Sequence, residues 1–160
     1  MQLSCISLTL LLLPACSSDD LNPLMGSSPS EAEVELASFN LINQDRKDQG
    51  VPPLILDSQL TAVARAHSMD MRDRNFMAHV NPDGNSFSDR LRKAGVSFRI
   101  AGENLAVTIR MSDPATYANS EFLGNTAHRA NLLNRRFTRV GVGVARSGSK
   151  YWITQDFVGN

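Results

Sequence analysis

A chain of 160 residues is short enough for one folded domain, and 42% hydrophobic residues are enough for a sizeable core. Sixteen Lys and Arg balance sixteen Asp and Glu, so the formal net charge is zero. No basic run and no aromatic RNA-binding motif is present, which argues against nucleic acid as a partner and against a basic membrane-binding patch.

The first 15 residues read as a signal peptide. The apolar stretch from Ile6 to Ala15 is about ten residues long, short of the roughly 20 that span a membrane as a helix. Leu13-Pro14-Ala15-Cys16 has the form of a bacterial lipobox, in which the cysteine becomes the acylated first residue of the mature chain. The alternative is an ordinary cleavage site with a chance cysteine. Leu13 favours the lipobox, because ordinary sites want a small residue there. Cys5 leaves with the signal, so a mature chain keeps only Cys16. A disulfide, a thiol nucleophile and a cysteine-ligated zinc are then all excluded. Residues 16–30, with Ser, Pro and Gly throughout, read as a flexible tether between a membrane anchor and a domain over 31–160.

Ser30 and Glu33 make a capping-box pattern that opens the first helix. Val34, Ala37, Leu41 and Ile42 recur at helical spacing, and Gly50 with Pro52-Pro53 ends the run. Leu54-Ile55-Leu56 is extended, and Asp57 caps a second helix predicted to reach about Phe76. Leu60, Val63, Ala64, His67 and Met71 form its apolar stripe. His67 on that stripe reads as a packed, hydrogen-bonded histidine rather than a ligand. Residues 77–84 are a turn-rich loop carrying His79, and Ser86 caps a short helix over 87–93.

The run from Ile100 to Ile109 alternates with period two. That parity puts Glu103 on the same face as Leu105, Val107 and Ile109. A carboxylate at the edge of a core needs partners, and His79 and His128 are the histidines outside a core stripe. The alternative is a solvated Glu103, or one paired with Arg99. Asp113-Pro114 opens another helix with Ala115, Ala118 and Phe122 on its stripe, and Asn125-Thr126 cap a last turn or two to Leu133. Val140, Val142 and Val144 alternate with Gly141 and Gly143, Ser147-Gly148-Ser149 turns, and Tyr151 to Val158 returns as a hairpin. Glycines on one strand face invite a close neighbour. Helices early and strands late give an α+β layered fold, with an antiparallel sheet of at least three strands and about four helices.

His128 sits in the first turn of its helix, where the dipole disfavours imidazolium. A neutral imidazole there suits metal ligation or proton transfer. No H-E-x-x-H or G-x-S-x-G signature is present.

Taken in order, several motifs carry a resemblance. They are Leu41-Ile42-Asn43 with Arg46 and Gly50-Val51-Pro52-Pro53-Leu54, His67 with Asp70-Met71, His79, Gly102-Glu103-Asn104-Leu105-Ala106, Ala127-His128-Arg129 with Asn131-Leu132-Leu133, Phe137 with Val140-Gly141-Val142-Gly143, and Tyr151-Trp152 with Gln155 and Phe157. From about Ser30 to Asn160 the chain resembles the CAP superfamily (cysteine-rich secretory proteins, antigen 5 and pathogenesis-related 1) in its cysteine-free bacterial form.

The resemblance implies a three-layer α-β-α sandwich with a central antiparallel sheet. It also implies a cleft holding a tetrad of two His and two Glu, with zinc or another divalent cation between the imidazoles. His79, Glu103 and His128 match three tetrad positions. Phe122 stands where the family has Trp, which puts Asn125 where the second Glu belongs, with Glu121 nearby but out of register. Asn125 is then a helix cap or a replacement for that Glu, and with the tetrad incomplete a metal should bind weakly. Two functions remain open. One is an envelope-tethered module that binds a small molecule, lipid or protein in the cleft of His79, Glu103, Asn125 and His128. The other is a metal-assisted hydrolase, with metal on His79 and His128 and Glu103 as base.

Overall fold

The computed structural model describes residues 28–160. The signal sequence, Cys16 and most of the predicted tether lie outside the described residues. Five helices, α1 (Glu31–Asp48), α2 (Ser58–Asp73), α3 (Phe87–Lys93), α4 (Pro114–Gly124) and α5 (Thr126–Leu132), accompany four strands, β1 (Ile55–Leu56), β2 (Ile100–Ile109), β3 (Arg139–Ser147) and β4 (Lys150–Gly159).

The helix starts follow local chemistry. Ser30 and Glu33 form the reciprocal box on α1, and Ser86 with Asp89 does the same on α3. Asp57, Asp113 and Asn125 cap α2, α4 and α5 by accepting from free backbone amides. The α2 helix stops at Asp73 rather than near Phe76. Asn75 adopts a left-handed conformation (φ 52°), and the Phe76 amide turns back to the Met71 carbonyl at 3.1 Å. Ser28 to Ser30, at the end of the predicted tether, are held to the domain. The Tyr151 hydroxyl donates to the Pro29 carbonyl at 2.7 Å.

The strand order is β1-β3-β4-β2. The three long strands are antiparallel, joined by the hairpin turn at Gly148 (φ +57°) and by Glu103↔Asp156 register between β2 and β4. The expected antiparallel sheet of at least three strands is present, and a short fourth strand adds a parallel pairing at its edge. β1 runs parallel to β3 through Ile55↔Arg139 and Leu56↔Val140, so the sheet is mixed. It pairs for only two residues because Asp57, while still bonded to the Val140 carbonyl, caps α2 and turns the chain off the sheet. Beyond β1, Glu35 covers the open edge of β3. It accepts from the Val144 amide at 3.1 Å and is gripped by Arg65.

Helices cover both faces, giving three layers. Val34, Ile42, Ala115, Ala118, Phe122 and Leu132 from α1, α4 and α5 pack on Val140, Val142, Val144, Ile153 and Phe157. On the other face α2 lies directly on β3. A Cβ on Gly141 or Gly143 would come within 2.2 Å of the Leu60 carbonyl carbon or 2.0 Å of the Arg65 nitrogen. The glycine face read from the sequence is thus the bed of α2. Ile109, placed by parity with the apolar face, is instead half exposed at the strand's end.

Arg46 has no exposed surface, yet its guanidinium faces only backbone carbonyls. It donates to Pro52 (2.7 Å), Leu132 (2.8 Å), Asn134 (3.1 Å) and Phe137 (3.3 Å). Burial, with a smaller push from the Arg135 charge, lowers its pKa. These bonds fasten α1 to the segment leaving α5, which in turn carries His128.

Candidate functional site

Glu103 is the centre of the site. It lies on β2 with its side chain fully enclosed. Its Oε1 faces His79 Nδ1 at 2.7 Å, and its Oε2 receives a hydrogen bond from the Arg90 guanidinium. Arg90, not Arg99, is its cation. Arg90 also donates to the carbonyls of His79 (3.0 Å) and Asn85 (3.1 Å), so α3 holds the 77–85 loop against β2. Buried carboxylates persist only when paired and hydrogen-bonded, and this one is both.

His67 is buried on the α2 face, as its position on the apolar stripe predicts. Its Nε2 lies 3.0 Å from the Ala78 carbonyl, which only an N–H can bond, and its ring meets Phe76 edge-on at 5.8 Å. Burial and then the Arg90 charge push its pKa down, partly offset by Glu103 at 4.0 Å. The ring is therefore neutral. It braces the 77–85 loop from below and leaves the cleft to His79.

His128 approaches from α5. Its ring lies edge-on to Phe122, 5.2 Å between centroids. Burial lowers its pKa, and the nearby His79 charge adds to the effect. The backbone around it is pinned to β2 by an amide network. Asn104 Nδ2 donates to the His128 carbonyl and to Gln155 Oε1, both at 3.2 Å, while Asn131 Nδ2 donates to Asn104 Oδ1 at 2.9 Å and to the Glu103 carbonyl at 3.2 Å. Gly102 makes room for it, since a Cβ there would sit 2.7 Å from Asn131 Oδ1.

Asn125 caps α5, its Oδ1 accepting from the Ala127 and His128 amides at 3.0 and 3.1 Å. With His128 and Glu121 it lines a cavity of about 230 Å³ whose other walls are Met77, Leu105, Ala106, Val107, Tyr117 and Phe122. His79 and Glu103 meet directly; His128 bonds to neither among the described residues.

Asp156 and Arg90 were missed in the sequence. Asp156 lies opposite Glu103 in the β2–β4 register and is fully buried. Neither of its oxygens has a donor among the described residues. Glu103 is its cross-strand neighbour, and two carboxyl groups can bond each other only with a proton on one of the two. Burial, then the Glu103 charge, drive the Asp156 pKa well up, and Arg90 offsets only part. The shift favours the protonated form of Asp156. Strand parity offered a signal: Asp156 shares a face with Trp152, Thr154 and Val158, the face opposite Phe157. Arg90 offered none, being one of several basic residues on a short amphipathic helix.

The donor set suits a divalent cation bound by two imidazoles. A carboxylate on one ring nitrogen is how metal-ligating histidines are commonly oriented. Glu103 at His79 Nδ1 leaves Nε2 as the free nitrogen, and His128 has no side-chain hydrogen bond among the described residues. Among the described residues no three His, Cys, Asp or Glu side chains converge on one point, so further ligands would come from solvent or from a bound molecule. In such a site His79 and His128 would hold the ion, Glu103 would orient His79, and the cation would supply charge to polarise an oxygen ligand.

Residues 39–157 match the family model described as the cysteine-rich secretory protein family, CAP. The chain is 38% identical over 134 residues to the YkwD protein of Bacillus subtilis, spanning 83% of this chain and 50% of that one. It thus spans half the length of that relative. Among solved structures, an extracellular protein containing an SCP domain from Bacillus anthracis superposes with a TM-score of 0.73 at 36% identity, covering 81% of this chain and 41% of that one. An outer surface protein of Borrelia burgdorferi superposes at 0.75 with 20% identity, over 85% of this chain and 99% of that one, a likeness of fold. The α-β-α layering agrees with both. With most of its length matched by that family model, the chain belongs to the CAP family of cysteine-rich secretory proteins.

Proposed function

We propose that the domain is an exported binding module whose cleft of His79, Glu103, Asn125 and His128 holds a ligand, with a divalent cation such as zinc between the two imidazoles. The engagement of Glu103 carries this reading. Both its oxygens are occupied, by His79 and by Arg90. A general base needs a free oxygen within reach of the water it deprotonates. Glu103 is therefore better suited to fixing the His79 ring than to the base role that a metal-assisted hydrolase requires. Two protein ligands are also fewer than the three usual for catalytic zinc. Turnover of a peptide or lipid library that is lost in His79→Ala would favour the hydrolase.

Calorimetric titration with zinc tests the site. We expect micromolar affinity, about −8 kcal/mol, abolished in both His79→Ala and His128→Ala. His67→Ala should lower stability and leave affinity nearly unchanged. Imidazoles ligate only when neutral, so affinity should fall on acidification. The lowered pKa of His128 puts its own protonation further down. Loss of binding in the His67 variant alone would assign the metal elsewhere.

The module is anchored to the envelope membrane through Cys16, on the lipobox argument. No described helix is long and apolar enough to cross a membrane. Expression of the full chain in a bacterium should yield a lipid-bearing, membrane-bound protein, and Cys16→Ser should release it. Membrane retention of that variant, with no lipid mass on the wild type, would remove the anchor.

A further inference from the structure

β2 is an edge strand, bonded to β4 on one side only. The hairpin fixes which of its residues face outward. The Arg110 amide donates to the Ser149 carbonyl, and the antiparallel register then directs the backbone of Gly102, Asn104, Ala106 and Thr108 toward β4. Glu103, Leu105, Val107 and Ile109 direct theirs away from the sheet. The Glu103 carbonyl agrees, since it accepts from Asn131.

Leu105 and Val107 come next. Among the described residues, no backbone or side-chain group bonds their outward N–H and C=O groups. Leu105 is nonetheless only 4% exposed. More than nine in ten buried backbone groups in folded proteins find a partner. Here they are the floor of the cavity of about 230 Å³, walled by Met77, Tyr117 and Phe122 and ending at Asn125 and His128. That volume is below the roughly 300–1,000 Å³ of ordinary small-molecule sites. A row of outward amides and carbonyls at strand spacing under apolar walls suits an extended chain.

We propose that the cleft takes an extended polypeptide segment with apolar side chains, which adds to the free edge of β2 by pairing with the backbone of Leu105 and Val107. At about 3.3 Å per residue, roughly three ligand residues cover the stretch. The proposal rests on the reading of the cleft as a ligand site, and it names the ligand class. The segment runs along β2 toward His128, where its next polar group meets the imidazole.

The probe is a random heptapeptide display library, selected on the exported domain, with the enriched peptides then synthesised. Val107→Pro removes one outward N–H without touching the β4 ladder, and proline is tolerated at such edge positions. It should lower peptide affinity at least about tenfold while the melting temperature stays near wild type. In the unmutated domain, hydrogen exchange at the Leu105 and Val107 amides should slow on binding. N-methylation of the peptide should block binding at alternate positions only, a result that stands even if Val107→Pro fails to fold. Failure to enrich any peptide, or binding indifferent to Val107→Pro and to N-methylation, overturns strand pairing. Binding that is indifferent to both but lost in His128→Ala would overturn it while leaving the cleft as the ligand site, and the zinc titration judges that reading separately.

Discussion

Arg90→Leu should destabilise the domain by about 3–5 kcal/mol, the cost of leaving a buried charge without its partner. Glu103 is wholly enclosed, and Arg90 is its guanidinium partner. The same substitution removes the bonds to the His79 and Asn85 carbonyls, so the loop carrying His79 should loosen as well. The double variant Arg90→Leu/Glu103→Leu should recover part of the loss, because removing both members of a buried pair costs less than removing one. Urea denaturation of the two variants measures both effects. A single variant within about 0.5 kcal/mol of wild type would mean that Glu103 is not held as a buried anion.

Asp156→Asn should stabilise the domain at neutral pH. The folded-state pKa of Asp156 is raised by burial and by Glu103, with Arg90 opposing. Between the ordinary aspartate value near 3.9 and its raised value, the folded chain holds a proton that the unfolded chain has released. Stability therefore falls as pH rises through that window, by about 1.4 kcal/mol per pH unit. The contribution is fully present below the unfolded value and lost above the folded one. Asparagine carries its N–H donor at every pH and can offer Glu103 the bond that a protonated acid would. The variant should lack this slope, and its advantage over wild type should vanish toward pH 4. Thermal melts of both proteins across that range decide the matter. Parallel profiles would show Asp156 ionised in the fold.

Local features were legible in the sequence because their causes lie within one turn of chain. Ser30, Asp57, Ser86 and Asn125 cap helices because free backbone amides at a helix start need an acceptor nearby. The side of β2 that carries Glu103 follows from strand alternation alone. The same alternation placed Gly141 and Gly143 on one face, and α2 lies on them. His67 belonged to the core because a helical stripe contains it.

What tertiary structure decided was which distant groups meet. The parallel pairing of β1 with β3 has no periodic signature, since it spans two residues and depends on where Asp57 turns the chain away. Asp156 faces Glu103 only through the β2–β4 register, which the hairpin turn transmits along the strand from Gly148. Arg90, one basic residue among several on α3, became the partner of Glu103 because α3 packs over that end of β2. Parity put a carboxylate in the core. The arrival of Arg90, His79 and Asp156 around it decided how that carboxylate is paired, because a buried charge persists only where distant groups bring it partners, and chain order does not fix those neighbours.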